Sequence, residues 1–322
     1  MTDPSPLGIR LTPNPDVSTA APAATGPDFK TFDSQTGWTT VNGWTYRLFR
    51  FFGTFLLPDL DWSGVEPVEE SSAPAGMHIV VPQRLTGDGA LLLIHGGGFV
   101  VGSSSNALLH ATALARDCGL PVFCPAYRLG PEHPFPAGLD DCHEAWSWLQ
   151  ANAERLNVDP AKVIIAGISA GGGHAASLAQ WLHDEGGQQP AGQVLFYPML
   201  DDRTAADREL DAVGHRVWNN RSNLFGWSSY LGQPPGGSPQ RYASPARRED
   251  LSGLPPAWIG VGGADLFLDE DRDYTRRLDQ AGVHVVYVEV DNGIHAFDSV
   301  LESPLTKAFH QSAAAFIRHL VG

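Results

Sequence analysis

From Met77 onward the chain alternates short apolar runs with stretches of helix length, and this rhythm limits the fold more than any other feature. The runs MHIVV (77–81), ALLLI (90–94), PVFCPAY (121–127), KVIIAG (162–167), QVLFYP (193–198), AWIGVG (257–262) and HVVYVEV (284–290) are apolar on consecutive positions. A strand covered on one face alternates apolar with polar, whereas one covered on both faces reads as these do. Helix candidates fall near 106–118, 138–156, 170–184, 269–281 and 305–321. Alternating β and α elements with two-sided burial predict an α/β chain, a mostly parallel sheet with helices on both faces. The 35 glycines and 25 prolines among 322 residues agree, because so many breakers would interrupt the long helices of a bundle.

Two regions break the rhythm. Residues 1–60 begin rich in Pro, Ala and Thr and end in an aromatic cluster of Trp38, Trp44, Tyr46, Phe49, Phe51, Phe52 and Phe55. The stretch 202–250 inserts polar, Pro-containing chain between two strands. Both are expected to lie over one end of the sheet, which leaves 61–322 as the main domain. The first 30 residues carry scattered prolines with no basic start and no apolar core, which argues against a secretory signal. No apolar run approaches the length of a membrane-spanning helix.

Lys+Arg 21 against Asp+Glu 36 gives a net charge of −15. Nucleic-acid affinity comes largely from Lys and Arg on phosphates, so a nucleic-acid partner is excluded, and an anionic lipid surface is disfavoured. At 43% hydrophobic residues the chain has the apolar content to fold rather than remain disordered. Cys118, Cys124 and Cys142 are odd in number and form no C-x-x-C pair, which fits a reducing compartment and a cytoplasmic location.

Gly167-Ile168-Ser169-Ala170-Gly171 stands directly after the strand-like KVIIA and directly before a helix-like stretch. A nucleophilic serine on a sharp strand-to-helix turn needs small residues two positions to either side, and glycine supplies them at 167 and 171. The competing reading is a glycine-rich turn with an ordinary capping serine. Support for the first comes from His95-Gly96-Gly97-Gly98-Phe99, which also follows a buried strand. Acyl transfer needs backbone N–H donors aimed at the oxygen that becomes negative, and a glycine-rich loop brings backbone close to it. A dinucleotide-binding turn fails on spacing, because Val101 stands where G-x-G-x-x-G requires glycine. His95 is expected to organise the loop by hydrogen bonding.

The serine then needs a base and an orienting acid, in the chain order Ser, acid, His. His295, in Asn292-Gly293-Ile294-His295-Ala296-Phe297, follows the run HVVYVEV and is the only one of the 12 histidines in a short Gly-containing loop after a late strand. Asp265 follows the strand AWIGVG and is preferred by position. Asp201 or Asp202, after QVLFYP, is the rival, while Asp269, Glu270 and Asp271 are expected to open the next helix, where acidic groups favour its dipole. No H-x₃-H pair or H-E-x-x-H appears, so neither a metal nor another cofactor is expected.

HGGGF (95–99), YRLGPEHPFPAGLDD (127–141), GISAGG (167–172), GADLFLDED (263–271) and GIHAF (293–297) occur in order, and together they resemble the hormone-sensitive lipase family of esterases on the α/β-hydrolase fold. The resemblance implies Ser169 as nucleophile, His295 as general base and acid, and Asp265 as orienting carboxylate. It also implies an oxyanion hole from the N–H groups of Gly97, Gly98 and Ala170. A cap would be built from residues 1–60 and the insertion at about 202–250. The implied activity is hydrolysis of small carboxylic esters with short to medium acyl chains, in a protein that forms a homodimer in many family members. An amidase, thioesterase or acyltransferase would use the same triad. A non-catalytic receptor on this fold typically lacks the histidine, which His295 supplies here. Three positions depart from the pattern: Ile168 for the usual Asp or Thr, Leu266 for Pro, and Ala296 for Gly. Tyr127, Arg128, Glu132 and Pro136 are expected to brace the loops, and the rings of 38–55 to divide between core packing and pocket lining.

Overall fold

The computed structural model describes residues 9–11, 40–53, 60–300 and 303–322. Nine strands among them form one sheet: β1 (Ile9–Leu11), β2 (Val65–Val68), β3 (His78–Pro82), β4 (Ala90–Ile94), β5 (Val122–Cys124), β6 (Val163–Ile168), β7 (Gly192–Phe196), β8 (Ala257–Gly262) and β9 (Val285–Val290). Their order is β1-β9-β8-β7-β6-β4-β5-β3-β2. The pairings from β5 through β9 are all parallel, while β1, β2 and β3 join antiparallel at the two edges. The sheet is therefore mostly parallel, as the alternation predicts.

Every residue of β4, β6, β7 and β8 is buried, which requires cover on both faces. The helices α2 (Leu108–Cys118), α3 (Ala137–Ala151), α4 (Ala170–Glu185), α7 (Leu268–Gln280) and α8 (Pro304–Val321) supply it, with α2 packed on α8 and α3 on α4. Boundaries shift for local reasons. The run 121–127 yields only Val122–Cys124 as strand, because Pro125 has no N–H for the ladder. The helix expected to reach 156 stops at Ala151, where the Asn152 side-chain amide donates to the Trp148 carbonyl at 2.8 Å.

The two irregular regions contribute α1 (Tyr46–Gly53) and, within the insertion, α5 (Asp202–Ala206) and α6 (Asn220–Leu231). Asp201 and Asn219 cap the latter two by accepting from the N–H groups of Arg203 and Ser222. A second apolar cluster joins Val41 and Tyr46 with Trp218, Trp227 and Tyr230, over residues just past strand ends such as Phe99, Ala170 and Phe267. Residues 40–53 and much of the insertion thus pack over the carboxyl edge of the sheet, whereas residues 9–11, expected in the same N-terminal cap segment, instead join the sheet as its edge strand β1, because their backbone pairs antiparallel with β9. Most of the expected 1–60 segment, including Trp38 and Phe55, lies outside the described residues. Within it Tyr46 is buried and Trp44 is exposed. Cys118, Cys124 and Cys142 are unpaired and buried around β5. Among the described residues no helix is long and apolar enough to cross a membrane.

Candidate active site

Ser169 sits between β6 and α4 with φ 54° and ψ −118°, a backbone conformation that costs a non-glycine residue energy and that tertiary contacts must hold. Its N–H donates to the Phe196 carbonyl at 2.9 Å, and its own carbonyl accepts from Met199 and Gly173 at 3.0 and 3.1 Å. A side chain at Gly171 would overlap the carbonyls of Ile94 and His95, so glycine there lets the elbow press against the neighbouring strand. These contacts aim the Ser169 hydroxyl away from the sheet, where its Oγ lies 3.0 Å from Nε2 of His295.

His295 leaves the loop after β9 and stands edge-to-face against two rings, Tyr197 and Phe267, at centroid distances of 5.0 and 5.2 Å. Its Nδ1 lies 2.8 Å from Oδ2 of Asp265, whose Oδ1 accepts the Phe267 N–H at 3.0 Å. An ionised carboxylate only accepts, so Nδ1 carries the proton and Nε2 presents a lone pair to the serine. All three side chains are buried, at 6% (Ser169), 5% (His295) and 4% (Asp265) exposure, so water screens their interactions little. The rival acids are engaged elsewhere. Asp201 pairs with Arg203, Asp202 with Arg247, and Asp269 stands in solvent in the first turn of α7.

The His95–Phe99 loop leaves β4, which pairs directly with β6 in a register that sets Ile94 opposite Gly167. Gly97 takes φ 125°, and its carbonyl accepts from Val100 and Val101 at 3.0 and 2.9 Å. A Cβ added at Gly96 would come 3.3 Å from that of Ser169, so the loop passes against the serine. Ala170 is the first residue of α4, where N–H groups have no partner within the helix and the helix dipole is positive. Gly97 and Gly98 follow Gly96 in the loop that passes against Ser169, and Ala170 follows the serine directly at the start of α4. His95 holds the loop from beneath, with Nδ1 at 2.8 Å from the Gly96 carbonyl and its ring stacked 4.1 Å from Tyr127. Burial pulls its pKa down to about 4, so it remains neutral.

The bracing expected of 127–136 is visible bond by bond. Tyr127 donates its hydroxyl to the His95 carbonyl at 3.0 Å, and Arg128 forks onto Asp141. Glu132 accepts from Arg50 at 3.0 Å and from the Tyr46 hydroxyl at 3.1 Å. Arg50 also donates to the carbonyls of Val100 and Gly130 at 2.7 and 2.6 Å, which fastens α1 to the glycine-rich loop. Pro136 stands at the N-cap position of α3, where its carbonyl accepts from the Asp140 N–H at 2.9 Å.

A family model described as alpha/beta hydrolase fold matches residues 91–299. The chain belongs to the hormone-sensitive lipase-like family of α/β-hydrolases. This α/β-hydrolase is 34% identical over 235 residues to the carboxylic ester hydrolase LipN of Mycobacterium tuberculosis, covering 70% of this chain and 62% of LipN. It is 34% identical over 212 residues to the ethyl acetate hydrolase of Pseudomonas putida, covering 65% of each. The matched stretches span less than two thirds of both relatives. Among solved structures, bacterial heroin esterase superposes with a TM-score of 0.80 at 30% identity, covering 92% of this chain and 98% of that one.

The departures of this α/β-hydrolase from its family pattern have local explanations. Ile168 is buried in the main core beside β7, and Leu266 in the cluster over the carboxyl edge, so both are held by apolar contact. Ala296 has φ 56°, which is why glycine suits that position. Sequence reasoning missed Arg50, whose partners are mostly backbone carbonyls and leave no motif. It also missed Tyr197, a residue read only as the end of a strand. Among the described residues one group brings three potential metal-ligand atoms within 4.8 Å of one another: His110, Asp298 and His310, all buried.

Proposed function

We propose that this α/β-hydrolase is a serine carboxylesterase acting through an acyl-enzyme on Ser169. The observation that carries the reading is the line of contacts Ser169 Oγ to His295 Nε2 at 3.0 Å and His295 Nδ1 to Asp265 Oδ2 at 2.8 Å, with Gly96 of the glycine-rich loop against the serine. Ser169 attacks the acyl carbonyl as His295 takes its proton, and the oxyanion rests on the N–H groups of Gly97, Gly98 and Ala170. Asp265 steadies the imidazolium. His295 then protonates the departing alcohol, and water repeats the cycle on the acyl-enzyme to release the acid.

The substrate is a small carboxylic ester of short to medium acyl chain, a class that the names of the relatives support. Residues 40–53 and 202–250 form the cap over the site, and 61–322, with the edge strand β1 added to its sheet, the catalytic domain. Three unpaired buried thiols support a cytoplasmic location. The net charge of −15 leaves nucleic acid without a footing. A fluorophosphonate probe is expected to add one label at Ser169, and Ser169→Ala to remain folded, unlabelled and inactive. A series of p-nitrophenyl esters from acetate to palmitate is expected to peak at the short end. Labelling elsewhere with turnover retained in Ser169→Ala would overturn the assignment, and a palmitate maximum would overturn the substrate class.

A further inference from the structure

Beneath the loop that carries His295 lies a buried polar cluster that the chemistry above does not use. Asp298, three residues beyond His295 and fully buried, accepts three bonds. His110 Nε2 and His310 Nε2 each reach its Oδ2 at 2.8 Å, and the Tyr197 hydroxyl reaches Oδ1 at 2.7 Å. The donors come from three elements: His110 from α2, His310 from α8, and Tyr197 from the end of β7. Burial alone would raise the Asp298 carboxyl, yet His110 and His310 hold it well below the ordinary carboxylate range, so it is ionised.

Hydrogen bonding accounts for this cluster better than a metal ion does. Tetrahedral bonds of about 2.0–2.1 Å would set ligand atoms about 3.3 Å apart. The observed nitrogen-to-oxygen separations of 2.8 Å are those of charge-assisted hydrogen bonds. Because the carboxylate only accepts, both histidines present N–H at Nε2. The Nδ1 of His110 is buried without a hydrogen-bond partner, so the ring's one polar contact is made at Nε2.

Tyr197 connects the cluster to the site. It adopts φ 36°, a conformation that a bulky side chain takes only when its surroundings impose it. Its ring stands edge-to-face on the His295 imidazole at 5.0 Å while its hydroxyl holds Asp298. The turn at Phe297–Ser299, closed by Ser299 N–H to the Ala296 carbonyl at 3.1 Å, keeps Asp298 and His295 in one rigid unit.

We infer that Asp298, with its donors His110, His310 and Tyr197, is a positioning anchor that aims the His295 imidazole at Ser169. It grips the base from two sides, through the backbone of its own loop and through the Tyr197 ring. The inference rests on the reading of His295 as the general base.

The test compares Tyr197→Phe and Asp298→Asn with wild type in p-nitrophenyl acetate kinetics, thermal unfolding, fluorophosphonate labelling rate and the downfield proton resonance of His295 Nδ1–H. Tyr197→Phe keeps the ring and removes only the hydroxyl, so it remains informative if Asp298→Asn fails to fold. The expected result is a fall in kcat of about 3- to 10-fold for Tyr197→Phe, the worth of one hydrogen bond. For Asp298→Asn the fall is about 10- to 100-fold, the scale of a misplaced catalytic group. KM is expected to stay within about threefold, labelling to slow in parallel and the downfield resonance to shift. A lower Tm with kcat and resonance unchanged in Tyr197→Phe overturns the anchor and leaves a merely structural cluster. One equivalent of tightly held transition metal, whose removal abolishes activity, overturns it in favour of a metal site. A wild-type protein that takes no label at Ser169 would instead overturn the esterase reading itself.

Discussion

Replacing Asp265 by asparagine exchanges one oxygen for an amino group and leaves the shape of the site unchanged, which makes it a sharp probe of the proposed triad. Asp265 satisfies two donors, the His295 Nδ1–H at 2.8 Å and the Phe267 N–H at 3.0 Å. Asparagine has one oxygen, so it can satisfy only one of them. If the oxygen stays on Phe267, the amino group faces Nδ1 and forces the proton onto Nε2. The ring then cannot accept from Ser169. If the oxygen turns to His295, a buried donor is left unpaired, at a cost of about 1–3 kcal/mol. The imidazolium formed during attack also loses its charged partner, worth about 1.5–3 kcal/mol. The sum, about 2.5–6 kcal/mol, corresponds to a loss of roughly 10²- to 10⁴-fold in kcat with little change in KM. Steady-state hydrolysis of p-nitrophenyl acetate at mildly alkaline pH measures it, with Ser169→Ala as the floor. A loss smaller than about tenfold would refute the tautomer argument and with it the assignment of Asp265.

Three further outcomes follow from particular contacts. Gly97→Ala places a methyl group on the Val101 carbonyl at a φ of 125°, so the loop must move; kcat is expected to fall by about 10²- to 10³-fold, and an unchanged kcat would remove that loop from the chemistry. Asp271 is buried with neither oxygen hydrogen-bonded, and burial, with Glu270 and Asp265 nearby, raises its pKa well above the ordinary value. The folded chain therefore keeps a proton that the unfolded chain releases above about pH 4, so this group's contribution is full below that pH and is lost as pH rises, by about 1.4 kcal/mol per unit. Asp271→Asn is expected to gain on wild type in urea unfolding as pH rises from acid to neutral, and a gap independent of pH would refute the buried neutral acid. Ala296→Gly relieves a left-handed alanine worth about 1 kcal/mol, partly offset by unfolded-state entropy, so Tm is expected to rise by up to about 1 °C, and a fall would contradict the strain.

The centre of the fold was legible because two-sided burial writes itself into consecutive residues. The runs 90–94 and 257–262 coincide with β4 and β8 to the residue. The edges were not, since β1 is only three residues long and pairs on one side alone, and β2 carries Pro67 with three of its four residues exposed. That Ser169, Asp265 and His295 meet could be anticipated because each follows a buried strand in a fixed chain order. Asp298 could not, because its partners stand 188, 12 and 101 residues away and each reads locally as ordinary helix or strand end. Nor could Arg50, for backbone carbonyls are present everywhere in a chain and leave no trace in its letters.

The three thiols gathered around β5 make the protein its own reporter of opening. Burial pushes Cys118 up to about 12, and raises Cys124 and Cys142 as well, so at neutral pH none offers a thiolate to an alkylating reagent while the sheet is closed. Alkylation can proceed only through states in which the β4–β5–β3 side of the sheet has come apart. The rate at which iodoacetamide consumes thiols, set beside the rate at which ester hydrolysis is lost, then tells whether inactivation begins at that flank or at the site's own strands. Equal rates would mean that Ser169 and His295 part only when the whole sheet lets go.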